Sequence, residues 1–71
     1  MSVPIVLQVE LVDAETAWQL AQFIKRVSFS ALFELTEAHL SATERDALAY
    51  RMLYGLSAVG RALAEKGFAP R

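Results

Sequence analysis

Ile5-Val6-Leu7-Gln8-Val9-Glu10-Leu11 is the stretch whose reading decides the fold of this chain. Ile5, Leu7, Val9 and Leu11 fall on one face and Val6, Gln8 and Glu10 on the other. That two-residue period belongs to a half-buried β-strand. No second run of this kind follows. A lone strand leaves its backbone N–H and C=O groups unpaired, and its open edge invites another chain. The simplest mate is the same strand of a second copy. The stretch therefore predicts an α+β fold in which β-α-α protomers form a homodimer. The amino-terminal strands pair antiparallel, a helical hairpin covers the ribbon, and Ile5, Leu7, Val9 and Leu11 lie at the dimer interface.

Outward from that run, Pro4 suits the start of an edge strand, where its missing N–H does no harm. The strand is expected over about 4–12. Asp13 stands where a helix N-cap belongs, and Glu15 lies in the first turn, where the helix dipole favours negative charge. Ala17, Leu20, Ile24 and Val27 then recur three and four apart, and the stripe continues through Ala31 and Leu35. The spacing predicts a helix over about 14–38, kinked near Ser28-Phe29-Ser30, with two shorter helices as the alternative. Ser41-Ala42-Thr43-Glu44 fits a capping box, so a second helix is expected over about 42–66. Leu48, Met52, Leu56, Val59 and Leu63 form its stripe. Gly55 and Gly60 inside it read as places where another backbone packs closely, or as a break around Gly55-Leu56-Ser57. Gly67 fits the left-handed position after a helix, Phe68 the apolar contact of a Schellman motif against Leu63, and Pro70 a stop. The short link around His39 to Ser41 makes the two helices antiparallel neighbours. Residues Ile5, Leu7, Val9, Leu11, Leu20, Ile24, Val27, Leu48, Met52, Val59 and Leu63 are expected to be buried.

Size and composition point the same way. The chain has 71 residues, one domain's worth, and 55% of them are hydrophobic. A chain this small has a marginal core of its own. It has no cysteine, so neither disulfides nor thiolate–metal sites supply a staple. Self-association is the remaining source of burial. The net charge of −1 is unlike a strongly basic nucleic-acid binder. No apolar run approaches the ~20 residues of a membrane span. Met1-Ser2-Val3-Pro4 lacks the basic segment of a secretory signal, so a cytoplasmic, unprocessed protein is expected.

The chemistry-bearing residues are sparse. His39 is the only histidine, and it stands five residues from both Glu34 and Glu44, which turns them apart on a helix. No cysteine or second histidine completes a metal-ligand set. Gly55-Leu56-Ser57-Ala58-Val59-Gly60 misses the nucleophile-elbow spacing and lacks the lysine of a phosphate loop. No catalytic residue, metal or cofactor is assigned, and no enzymatic activity is expected. Tyr50 and Tyr54 share a helix face, with Arg51 and Arg61 on adjacent faces. Tyrosine and arginine are enriched at interaction hot spots, and these four residues form the candidate partner-binding set. Trp18 is assigned to the core or the dimer interface, where its indole N–H needs a partner. Lys25, Arg26 and Arg45 could form one small basic patch, and Arg61, Lys66 and Arg71 another.

The order strand–helix–helix resembles the ribbon–helix–helix family. That resemblance implies two chains intertwined through an antiparallel ribbon whose outward residues read the major groove. Those residues would be Val6, Gln8 and Glu10. Gln8 suits a base edge, whereas Val6 and Glu10 are poor neighbours for phosphates. A second resemblance rests on Ala17-Trp18-Gln19-Leu20-Ala21-Gln22-Phe23-Ile24-Lys25-Arg26-Val27 and on Ala62-Leu63-Ala64-Glu65-Lys66-Gly67-Phe68-Ala69-Pro70-Arg71. These segments look like a family of small uncharacterised proteins from phages and integrative elements of proteobacteria. The resemblance implies a small accessory protein that acts by binding a host protein complex, as an inhibitor or adaptor. A DNA-binding transcriptional or plasmid regulator is the alternative.

Overall fold

The computed structural model describes residues 3–69. Among them the chain is all helical: α1 spans Ala14–Arg26, α2 spans Phe29–Glu34 and α3 spans Ala42–Glu65. The α+β expectation is thereby overturned. Residues 3–12 form an arm with neither helix nor sheet pairing, and no strand occurs anywhere among the described residues. The physical reason is that alternation prepares one side of a ladder only. A strand exists by its hydrogen bonds to a neighbour, and the rest of this chain is committed to helices. The ribbon, the helices covering it and the likeness to ribbon–helix–helix proteins fall with it.

Each helix begins where a short side chain satisfies a free N–H. The Asp13 carboxylate accepts from the Thr16 N–H at 2.8 Å, and Ser28 Oγ accepts from the Ala31 N–H at 3.1 Å. Ser41 Oγ accepts from the Glu44 N–H at 3.2 Å. Glu44 returns to Ser41 through the hydroxyl, which donates to its carboxylate at 3.2 Å, rather than through the backbone N–H. The Ser28 cap explains why the stripe over 14–38 is not one helix. Val27 at ψ 132° and Ser28 at ψ 158° are both extended, so the chain leaves α1 and re-enters a six-residue α2.

The end of α3 is a Schellman motif. Gly67 lies at φ +94°, its N–H donates to the Ala64 carbonyl at 3.0 Å, and the Phe68 N–H donates to the Leu63 carbonyl at 2.9 Å. Phe68 turns back onto the helices and meets the Trp18 ring edge-on at 5.3 Å. Pro70 lies outside the described residues.

Helices α1 and α2 each pack on α3. Between α1 and α3, Ala17, Ala21 and Leu63 are buried, with Leu20, Ile24 and Phe68 partly buried around them. Gly60 lets α1 close in: a Cβ there would sit 3.3 Å from Ile24 Cγ2. Between α2 and α3, Leu32, Thr36 and Ala49 are buried. No large side chain is fully enclosed. Of the eleven residues expected in the core, Leu63 alone is buried, while Leu20, Ile24 and Val27 are partly so. Ile5, Leu7 and Val9 are 70–85% exposed, and Leu11, Leu48, Met52 and Val59 also face outward. Ala17, Ala21 and Ala49 are buried at the helix contacts together with Leu32 and Leu63, and most of the other large apolar residues are left at the margins. The radius of gyration, 13.9 Å, exceeds the roughly 11 Å of a compact domain of this length.

Candidate protein-interaction surface

Two surfaces stand out, on different sides of α3. The first is an aromatic row built on α2 and α3. Phe29 and Phe33, four residues apart on α2, lie one turn apart, with ring centroids 6.4 Å apart. Phe29 leans on Tyr50 at 4.7 Å, and Tyr50 stacks on Tyr54 at 6.2 Å. The Arg45 guanidinium closes the row, 4.5 Å from the centre of the Phe33 ring. Phe29 and Phe33 are partly buried, while Tyr50 and Tyr54 open progressively to solvent, at 44% and 66% exposure. The inner rings thus hold the outer ones in place, an arrangement that lets a rigid amphipathic side chain bind at little entropic cost.

Arg45 is anchored as well as stacked. Its Nε donates to Thr36 Oγ1 at 2.8 Å and its Nη2 to the Phe33 carbonyl at 3.0 Å. The Thr36 hydroxyl donates to the same carbonyl at 2.6 Å. Arg45 therefore ties the carboxyl end of α2 to α3 and does not join Lys25 and Arg26 in a basic patch. Arg51 and Arg61 are exposed on α3. Arg61 is seven residues from Tyr54, so the two share a face. Arg71 of the second basic patch lies outside the described residues.

The second surface is an open apolar groove of about 1140 Å³. The arm, with Ile5, Leu7, Val9 and Leu11, forms one wall; α1 and the carboxyl half of α3 form the other, through residues including Leu20, Val59 and Ala62. The four interface residues expected from the sequence thus lie together, but along a groove rather than in a ribbon. Trp18 is partly buried against Phe68 and stands apart from the groove lining.

His39 lies in the link between α2 and α3, its Nε2 3.5 Å from a Glu37 carboxylate oxygen, with both side chains well exposed. Among the described residues no three histidine, cysteine or acidic side chains gather as metal ligands. One carboxyl is perturbed: the Thr16 hydroxyl and the Thr16 backbone N–H, in that order, hold Asp13 below its ordinary pKa. It caps α1 and lies at the edge of the groove.

Phe29, Phe33 and Arg45 escape a sequence reading of this surface. Phe29 and Phe33 share a helix face at four-residue spacing whether 14–38 is one helix or two, but nothing local shows that this face meets Tyr50. The Arg45 contacts span nine and twelve residues and leave no local signal.

All 71 residues match the model of a family of unknown function, DUF7706. The chain belongs to that family. No curated protein and no solved structure matches this DUF7706 chain. No helix among its described residues is long and apolar enough to cross a membrane.

Proposed function

We propose that this protein works by binding another protein rather than by catalysis, with Tyr50, Arg51, Tyr54 and Arg61 as the contact face. The observation that carries this reading is the stacked row from Phe29 through Tyr50 to Tyr54, whose outer ring is 66% exposed. A supported, solvent-facing tyrosine flanked by arginines has the composition and rigidity of an interaction hot spot. Small size and the likeness of two segments to accessory proteins of phages and integrative elements favour a finer reading. In it the protein is an inhibitor or adaptor, carried by a mobile element and directed at a host complex in the cytoplasm.

The test is affinity capture from host lysate with the wild-type chain and a Tyr54→Ala/Arg61→Ala variant, followed by reconstitution with the purified captured protein. A partner that binds wild type and loses at least tenfold in affinity with the variant is the expected result. A wild-type bait that enriches nothing over the variant, or equal affinities in reconstitution, overturns the proposal.

A further inference from the structure

Leu48, Met52, Gly55, Val59 and Ala62 recur along α3 at steps of four, three, four and three, the spacing of a seam that fits a second helix. On this chain the seam is only partly covered. Leu48, Met52 and Val59 are 36%, 38% and 40% exposed, and a Cβ on Gly55 would meet nothing within 4 Å. The carboxyl end of the seam, Val59 and Ala62, is also a wall of the groove bounded by the arm. Seam and groove are therefore one continuous apolar surface.

The chain as a whole, extended arm included, exposes more surface than a compact monomer of its size. The chain exposes 5949 Å². A compact monomer of 7.9 kDa exposes about 4400 Å², so the excess is about 1500 Å². That lies within the roughly 1000–2500 Å² that each partner buries in an obligate homodimer or a permanent hetero-complex, and is nearly twice the ~800 Å² per partner of a standard complex; charge and the seam's own pattern favour a second copy. A net charge of −1 sets up little repulsion between two copies. The seam is also complementary to its own reverse. Laid antiparallel, it sets the partner's Met52 opposite Ala62 and the partner's Val59 opposite Gly55, so these two larger side chains each meet a small one. The partner's Leu48 then enters the groove beside Lys66, and two-fold symmetry repeats every contact.

We infer that the occupant of this groove is a second copy of the chain, paired antiparallel through α3, with each arm closing over the partner's α3. The contact is helix on helix with an arm across it, and no ribbon of strands is involved. Tyr54, five residues before Val59, is about 140° away round the helix, so the aromatic row stays open in the dimer.

Sedimentation equilibrium of the full chain from 1 to 100 μM, with circular dichroism on each variant, tests this. Wild type is expected at twice 7.9 kDa. Val59→Lys, and separately Leu7→Asp/Val9→Asp, are expected to weaken the dimer at least thirtyfold, about 2 kcal/mol at 1.4 kcal/mol per tenfold, with helicity retained. Tyr54→Ala is expected to leave it intact. The chain has no cysteine, so mixing Gly55→Cys with Val59→Cys reads the register without relying on a disruptive variant. The mixture should form disulfide-linked dimers faster than either variant alone. A monomer throughout the range, a dimer indifferent to Val59→Lys, or faster cross-linking of Gly55→Cys with itself each overturns the inference. A monomeric wild type that still captures a protein through Tyr54 overturns the dimer and leaves the proposed function standing.

Discussion

Arg45 holds Phe33 at two points: it donates to the Phe33 carbonyl at 3.0 Å and lies 4.5 Å from the centre of the Phe33 ring. A guanidinium does both because it is planar and forked; an ammonium lacks the flat face and carries all its donors on one nitrogen, so it cannot reproduce the separate Nε and Nη2 bonds. Arg45→Met, which keeps the apolar stem, is expected to destabilise the fold by about 1.5–3 kcal/mol, the range for hydrogen bonds to a charged group. Arg45→Lys should recover less than half of that loss. Urea unfolding followed at 222 nm measures both, and a lysine variant as stable as wild type would show that charge alone suffices.

Gly60 and Ile24 set the distance between α1 and α3. Alanine gains about 1 kcal/mol over glycine in a helix, but here the methyl group would crowd Ile24 Cγ2 at 3.3 Å. Gly60→Val is expected to cost roughly 1–3 kcal/mol by overpacking. Ile24→Leu removes the crowded branch and should relieve the valine by at least ~0.5 kcal/mol in a double-mutant cycle. Additive effects would mean that the helices part freely at this point.

Phe68 is expected to contribute about 2 kcal/mol, somewhat under the roughly 3–5 kcal/mol of a fully buried phenylalanine replaced by alanine, because it is only partly buried. Trp18, the only tryptophan, reports directly on that contact. Phe68→Ala should shift its fluorescence maximum to longer wavelength along with the loss of stability. An unmoved spectrum would place Trp18 in contact with something other than Phe68.

Asp13 links the amino end of α1 to pH. Its folded pKa is lowered below 3.8, so the cap is fully stabilising above the unfolded value and is lost as pH falls through the lower, folded one. Asn keeps an acceptor and does not titrate. Melting temperatures of wild type and Asp13→Asn should therefore run parallel above pH 5, and wild type should lose more between pH 4 and 2.5. Parallel curves through that range would remove the cap from the acid response.

The helix ends are legible because their chemistry is local. Asp13, Ser41 and Gly67 act on N–H or C=O groups within five residues, and each does so in the structure. Ser28 is equally legible in kind, and of the two readings of 14–38 the structure takes the two shorter helices, although the apolar stripe runs on in phase through Ala31 and Leu35. The aromatic row was half visible. Tyr50 and Tyr54 share one helix, whereas Phe29, Phe33 and Arg45 reach it from another.

By itself the sequence determined the caps that start α1 and α3 and the glycine stop after α3, that no cysteine staple holds the chain, and that its apolar content is high for its size. Those properties depend on neighbours along the chain. Tertiary structure alone decided which apolar residues become core. Ala17, Ala21 and Ala49 took contact positions, where small side chains let helix axes approach closely, together with Leu32 and Leu63. Most of the other large apolar residues were left outward, on the seam and on the arm. The alternation of Ile5 to Leu11 was real, but a ladder needs a second strand in reach, and every other long segment of this chain satisfies its own backbone within a helix.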